Sequence, residues 1–173
     1  MTVRGEDDDV QDVDKRRSVG PAVESRFLAP ASDDEQAWLQ WAEQLPASQA
    51  MNLRAVQITA GRAVMKMDTP PWPLNPNGSV HGGLIAAAAD HSGGVVAISS
   101  LGAAALPATA TLHGEFLRPA FPGLVFACET VKTGRSLVFA DILVYDVDDR
   151  LCAKFAGTWS VNAGATPAPR EQG

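Results

Sequence analysis

The stretch NPNGSVHGGLIAAAADHSGG (residues 75–94) sets a carboxylate, Asp90, inside an alanine-rich run, behind His81 and the pair Gly82 and Gly83. Aspartate is a poor helix former, and burying its carboxylate without partners costs several kcal/mol, so a core position for it demands compensation. The positions that share its face at helical spacing, Gly83, Ala86, Ala87, Gly94 and Ala97, are all small and leave room beside the carboxylate. Two readings stay open: Asp90 lies on a solvent face, or it is held at a site. Gly82 and Gly83 would present free backbone N–H groups at a helix start, where the dipole favours negative charge and an oxyanion can be bound. Water or the Ser79 side chain can satisfy the same groups. Eight helical steps separate Gly82 from Asp90, roughly 12 Å at 1.5 Å each, too far for both to touch one reacting carbonyl. If they form one site, the amide comes from one subunit and the carboxylate from another, as an isologous dimer provides twice over.

Other chemistries lack their signatures. There is no GxxxxGK[ST] loop, the glycines at 78, 82 and 83 do not follow a strand in GxGxxG order, and no GxSxG elbow occurs. Cys128 and Cys152 have no partner at metal-ligand spacing, so no metal site is expected and two reduced thiols are the simpler reading.

The elements that must position these residues follow from periodicity and punctuation. His81 to about Leu101 is the one segment long enough for a major helix, and its mid-helix glycines Gly93 and Gly94 call for a close backbone approach or a ligand cavity. Upstream, SDDEQAWLQWAEQLP predicts a short amphipathic helix with a Ser32/Glu35 capping box, ending at Pro46. Met51 to Met67 predicts two strands around AGR, and the proline-rich TPPWPLNPNGSV a loop. Thr109–Leu117, Leu124–Lys132, Ser136–Asp146 and Leu151–Val161 are strand-like, the last three separated by the turn signals KTGRS and DVDDR. Two strands, a long helix and four strands make an α+β fold.

The chain has 173 residues, 46% hydrophobic and 20% charged, enough for one ordinary domain, expected over residues 24–162. Residues 1–23 and 163–173 have the composition of solvated tails. A net charge of −6 with scattered basic residues argues against nucleic acid or an anionic membrane as partner. The absence of a secretory h-region and of an uninterrupted apolar span predicts a cytoplasmic protein with no membrane span.

NPNGSVHGGLIAAAAD, followed by TATLHGEFLRPA and KTGRS, resembles the hotdog-fold acyl-CoA thioesterases of the PaaI-like and 4-hydroxybenzoyl-CoA thioesterase group, over about Met51 to Val161. The resemblance implies a curved antiparallel sheet around one long helix, here with an extra short N-terminal helix. It also implies a homodimer, often paired into a dimer of dimers, an acyl-CoA substrate and no cofactor beyond the coenzyme A of substrate and product. By position it implies Asp90 as nucleophile or general base, the Gly82 amide as oxyanion donor, Asn75 as the side chain that orients substrate, and His81 as a shaper of the helix start. Thr109 matches a hydroxyl that holds the attacking water; some relatives place that hydroxyl one turn after the acid, where this chain has Gly94. Gly83, Trp72, Arg118 and Arg135 are the expected substrate contacts, with Lys132 a further candidate for the phosphates of coenzyme A. His91 and His113 are expected to be structural or solvent-facing. The rivals are a hotdog module that binds acyl-CoA without hydrolysing it and, with less support, a hotdog dehydratase or hydratase, whose acid–histidine spacing is missing.

Overall fold

The computed structural model describes residues 27–102 and 106–161. The expected tails at 1–23 and 163–173 lie outside the described residues. The first helix, α1 (Glu35–Gln44), is capped by Asp34, whose side chain accepts from the Gln36 amide at 3.0 Å. The capping box expected at Ser32 is thereby corrected: Asp34 directly precedes the first helical residue, and Ser32 instead offers its carbonyl oxygen to the Trp38 indole at 2.9 Å. Trp38 and Trp41 meet edge to face and bury α1 against the core. Pro46 ends that helix but also opens another, α2 (Pro46–Ala50), because a proline at the first helical position lacks only an N–H that would go unpaired.

β1 (Leu53–Thr59) and β2 (Arg62–Met67) form the expected hairpin, with Gly61 supplying the positive φ of the turn at +76°. The long helix, α3 (Gly82–Leu101), then precedes β3 (Pro107–Phe116), β4 (Leu124–Thr133), β5 (Leu137–Tyr145) and β6 (Leu151–Val161). All pairings are antiparallel, in the order β1-β2-β4-β5-β6-β3. Alternation in β2, β4 and β5 turns Met65, Met67, Phe126, Ile142 and Val144 onto α3, where they pack with Leu84, Ile85, Val95 and Val96 in one core. Met65 and Met67 are thus fully buried core residues.

The β5–β6 turn is held by Asp146, which is 3% exposed. It accepts from the Asp148 and Arg150 amides and pairs with the Arg150 guanidinium, which drives its carboxyl down to about 2. Cys128 and Cys152 are unpaired and buried, and burial pushes both thiols upward.

Edge strand β3 has no residue in the buried class, unlike its neighbour β6. It borders α3 on the sheet's inner face and leaves its outer rim unpaired.

Candidate active site

The chemistry-bearing residues fall into two groups along α3. At its start, His81 sits in extended conformation as the N-cap, and its ring Nδ1 accepts the Gly83 amide at 3.0 Å. The Gly83 N–H is therefore spent within the chain. The Gly82 amide has no acceptor among the described residues, which leaves it the donor facing outward. Trp72 packs edge-on to His81 at 5.9 Å between ring centroids and stays 48% exposed, so the proline loop brings it to the helix start. Asn75 folds back on the same loop. Its backbone N–H donates to Ser79 O at 2.8 Å and its side-chain amide lies 3.4 Å from Ser79 Oγ, in a turn where Gly78 takes φ +77°. Ser79 Oγ in turn donates to Asn77 Oδ1 at 2.7 Å and accepts from none of the helix-start amides among the described residues. The loop is tied down by Val80 N–H donating to Ala120 O at 2.8 Å.

Two turns further on, Asp90 lies half-buried on the face of α3 that looks past the sheet toward β3. Thr109 Oγ1 donates to its Oδ1 at 2.8 Å, while Oδ2 carries no hydrogen bond among the described residues. Asp90 is thus half-exposed and held by an exposed strand hydroxyl, an arrangement compatible with both readings left open for it. Of the expected stripe of small residues, Gly83 and Ala87 are exposed and Ala86 and Gly94 partly so, whereas Ala97 is buried in the core.

A β-bulge aims Thr109. The register passes from Thr109↔Trp159 to Thr111↔Thr158, so Ala110 is the extra residue. Leu112, three residues later, packs against the core. Residues three apart face opposite sides of a regular strand, and only the bulge lets Thr109 and Leu112 both face α3.

His91, beside Asp90 in sequence, turns the other way. Its Nε2 meets Ser48 Oγ at 2.7 Å, tying α3 to α2, and burial pushes the imidazole below its usual 6.5 against the pull of the Asp90 charge. His113 is exposed on the outer face of β3. Arg118 follows β3 beside the segment that anchors Val80, near the helix start. Arg135 lies two residues before Leu137, which pairs with Ser160 at the opposite end of the sheet. One chain therefore does not bring the two arginines together. Lys132, also exposed, is near the Arg135 end.

Phe116, which the sequence reading did not single out, borders the start of α3. Its ring lies 3.3 Å from where a Cβ on Gly82 would sit, stacks edge-on against Phe155, and is 54% exposed. Its inward alternation with Leu112 and Gly114 was the available signal. On the sheet's far side, the cleft of about 640 Å³ lined by Arg62, Val64, Glu129 and Asp141 is remote from Asp90, and there Arg62 and Glu129 pair with each other. Among the described residues no cluster of metal-ligating side chains occurs.

Residues 77–153 match the family model described as the thioesterase superfamily, a span that holds both Gly82 and Asp90. A candidate esterase of Saccharolobus solfataricus is 38% identical over 86 residues, which cover 49% of this chain and 56% of that relative, so the match spans little more than half its length. The solved PaaI protein of Escherichia coli, from the phenylacetic acid degradation operon, superposes with a TM-score of 0.64 at 23% identity, covering 70% of this chain and 88% of that one. A Streptococcus mutans protein solved with acetyl CoA does so with a TM-score of 0.58 at 25% identity, covering 64% and 89%. With its six-stranded antiparallel sheet curved around α3, the chain has the hotdog fold, and its residues 77–153 match the thioesterase superfamily model.

Proposed function

We propose that the protein hydrolyses acyl-CoA thioesters at a site built from two copies of the chain. The observation that carries this reading is the Asp90 carboxylate, oriented by Thr109 through Oδ1 and free at Oδ2, on the same helix as the unspent Gly82 amide. The roughly 12 Å between them along α3 asks for a second copy to bring its helix start to this Asp90. A homodimer meets that need, and pairing of dimers is compatible with it.

In the reaction, the thioester carbonyl oxygen accepts the Gly82 N–H of one copy, which stabilises the oxyanion as it forms. Asp90 of the other copy takes a proton from water, the water oxygen bonds to the carbonyl carbon, the C–S bond breaks, and the coenzyme A thiolate leaves with the proton. Asp90 attacking the carbon itself, with water cleaving the resulting anhydride, uses the same geometry. Neither route asks for a metal or redox cofactor. Trp72 and Phe116 border the acyl or thioester end, and Arg118 and Arg135, drawn from different copies, suit the phosphates of coenzyme A. The acetyl CoA bound to the Streptococcus mutans relative supports a ligand of this class.

The test is free-thiol release from a panel of aryl, short-chain and long-chain acyl-CoAs by wild type and Asp90→Asn. Loss of turnover by about 10²- to 10⁴-fold, with binding of a non-hydrolysable thioether analogue retained, is the expected result. Unchanged turnover removes Asp90 from the chemistry. Binding without hydrolysis of any substrate makes the protein a carrier rather than an enzyme.

A further inference from the structure

Phe116 is half exposed, yet its ring is seated from two sides. One seat is in the sheet. Gly114 stands opposite Phe155 in the β3–β6 register, and a Cβ on it would fall 2.3 Å from a Phe155 ring carbon, so the missing side chain lets that ring lie across β3. Phe155 is buried and meets Phe116 edge to face, with 5.6 Å between centroids and 89° between planes. The other seat is the helix. A Cβ on Gly82 would lie 3.3 and 3.4 Å from two carbons of the Phe116 ring, so glycine at 82 lets the ring rest on the helix backbone.

A lone apolar side chain on a surface needs no explanation. This one differs in its neighbour, because the Gly82 N–H has no acceptor among the described residues. An oxygen that accepts it stands about 2.9 Å from the nitrogen, and the carbon bearing that oxygen lies one bond further out. Substituents on that carbon come within reach of a ring packed against the same residue. Gly83 is turned about 100° further around the helix axis, and a Cβ there would have the Trp72 ring at 3.8 Å instead. Two half-exposed rings thus stand on different sides of the first turn, and only Phe116 touches the residue whose amide is unspent.

We propose that Phe116 is a specificity-determining residue: its exposed ring is the wall against which the acyl group rests, and it favours acyl groups with an apolar body beyond the carbonyl over acetyl. The proposal rests on the thioesterase reading, which supplies the oxygen that Gly82 holds. Contact between ring and acyl chain removes apolar surface from water on both sides, and binding strengthens with the area covered. Acetyl, with a single methyl, covers little of it. Coenzyme A beyond the sulfur takes no part in this contact.

The experiment measures binding to wild type, Phe116→Ala and Phe116→Leu by calorimetry, with free coenzyme A and with a non-hydrolysable ketone thioether analogue of hexanoyl-CoA. Phe116→Ala should weaken the analogue about tenfold, the order expected when roughly 60 Å² of apolar contact is lost, and leave coenzyme A within twofold. In turnover, the hexanoyl-to-acetyl ratio of kcat/KM should fall by a similar factor. Phe116→Leu should weaken the analogue about threefold without affecting coenzyme A, and it decides the matter if the alanine variant does not fold. Equal weakening of both ligands, or unchanged analogue affinity, overturns the proposal. So does a drop in the mass measured by light scattering, which would assign the ring to contact between copies. If wild type hydrolyses no acyl-CoA yet binds the analogue through Phe116, the enzymatic reading fails and the ring's role stands. Wild type that binds the analogue no better than coenzyme A removes that role whether or not hydrolysis occurs.

Discussion

Thr109 Oγ1 donates to Asp90 Oδ1 at 2.8 Å, a bond across 19 residues that joins the sheet's edge strand to the middle of its helix. Removing the hydroxyl while keeping the shape, as in Thr109→Val, leaves the carboxylate without its orienting donor. We expect kcat to fall roughly 10- to 150-fold, the worth of one hydrogen bond to a charged group, while Thr109→Ser stays within a few-fold of wild type. Because the threonine is exposed, the melting temperature should move little. Steady-state kinetics beside thermal melts separate the two effects, and equal loss of stability and activity would make the bond merely structural.

Complementation tests the shared site. Asp90→Asn inactivates the acid, and Gly82→Val disturbs the helix start, since even a Cβ there already crowds the Phe116 ring. Each variant alone should be inactive. When the two are co-expressed, half of randomly formed dimers are mixed, and each mixed dimer has one site with both an intact amide and an intact acid. The pool should therefore recover about a quarter of the wild-type rate. A pool as inactive as its parents would place amide and acid in one copy and defeat the two-copy site.

Gly93→Ala should be the most damaging small substitution in α3. The helix gains about 1 kcal/mol in propensity, but the new methyl collides with the Trp159 ring, which is itself pressed against Gly157. Overpacking of this kind costs about 1–3 kcal/mol or more, and here the ring has no room to retreat. The expected outcome is a melting temperature lower by several degrees, or insoluble protein. An unchanged melt would mean that the indole can move aside.

The Ser48–His91 contact predicts a pH dependence of stability. Burial keeps the His91 imidazole neutral in the fold, its pKa below the 6.5 it recovers on unfolding, even though Asp90 pulls in the opposite direction. The unfolded chain thus binds the proton first. Stability is full above about pH 6.5 and declines as pH falls through that value toward the lower folded pKa, no more steeply than one proton's worth, about 1.4 kcal/mol per pH unit. Urea denaturation at pH 7.5 and 5.5 should show the loss in wild type and a flatter response in His91→Gln. Parallel slopes would exclude His91 as the titrating group.

Much of this fold is legible in the residues because its signals are local. Glycine turns separate alternating strands, and one long alanine-rich run can only be the central helix. Where two local signals compete, position decides: Asp34 adjoins the first helical residue and takes the cap from Ser32, and Pro46 both stops one helix and starts the next. The two mid-helix glycines are read as a close approach or a cavity, and the structure shows the close approach at Gly93, against the Trp159 indole, while a Cβ at Gly94 would make only an ordinary contact with it. What stays hidden are contacts with no local pattern. Ser48 and His91 lie 43 residues apart, and the unpaired indole of Trp159 leaves no mark in periodicity. Such neighbours are set by how strands register against the helix.

The extra residue at Ala110 makes the count of β3 matter more than its composition. Excising Ala110 would iron out the bulge and leave Thr109 and Leu112 two residues apart, still on one face, whereas excising a residue between Leu112 and Phe116 would turn the stretch on one side of the cut to the opposite face. In this strand a point change edits a side chain, whereas a single-codon deletion outside the bulge breaks the alternation that seats the edge of the sheet on the helix.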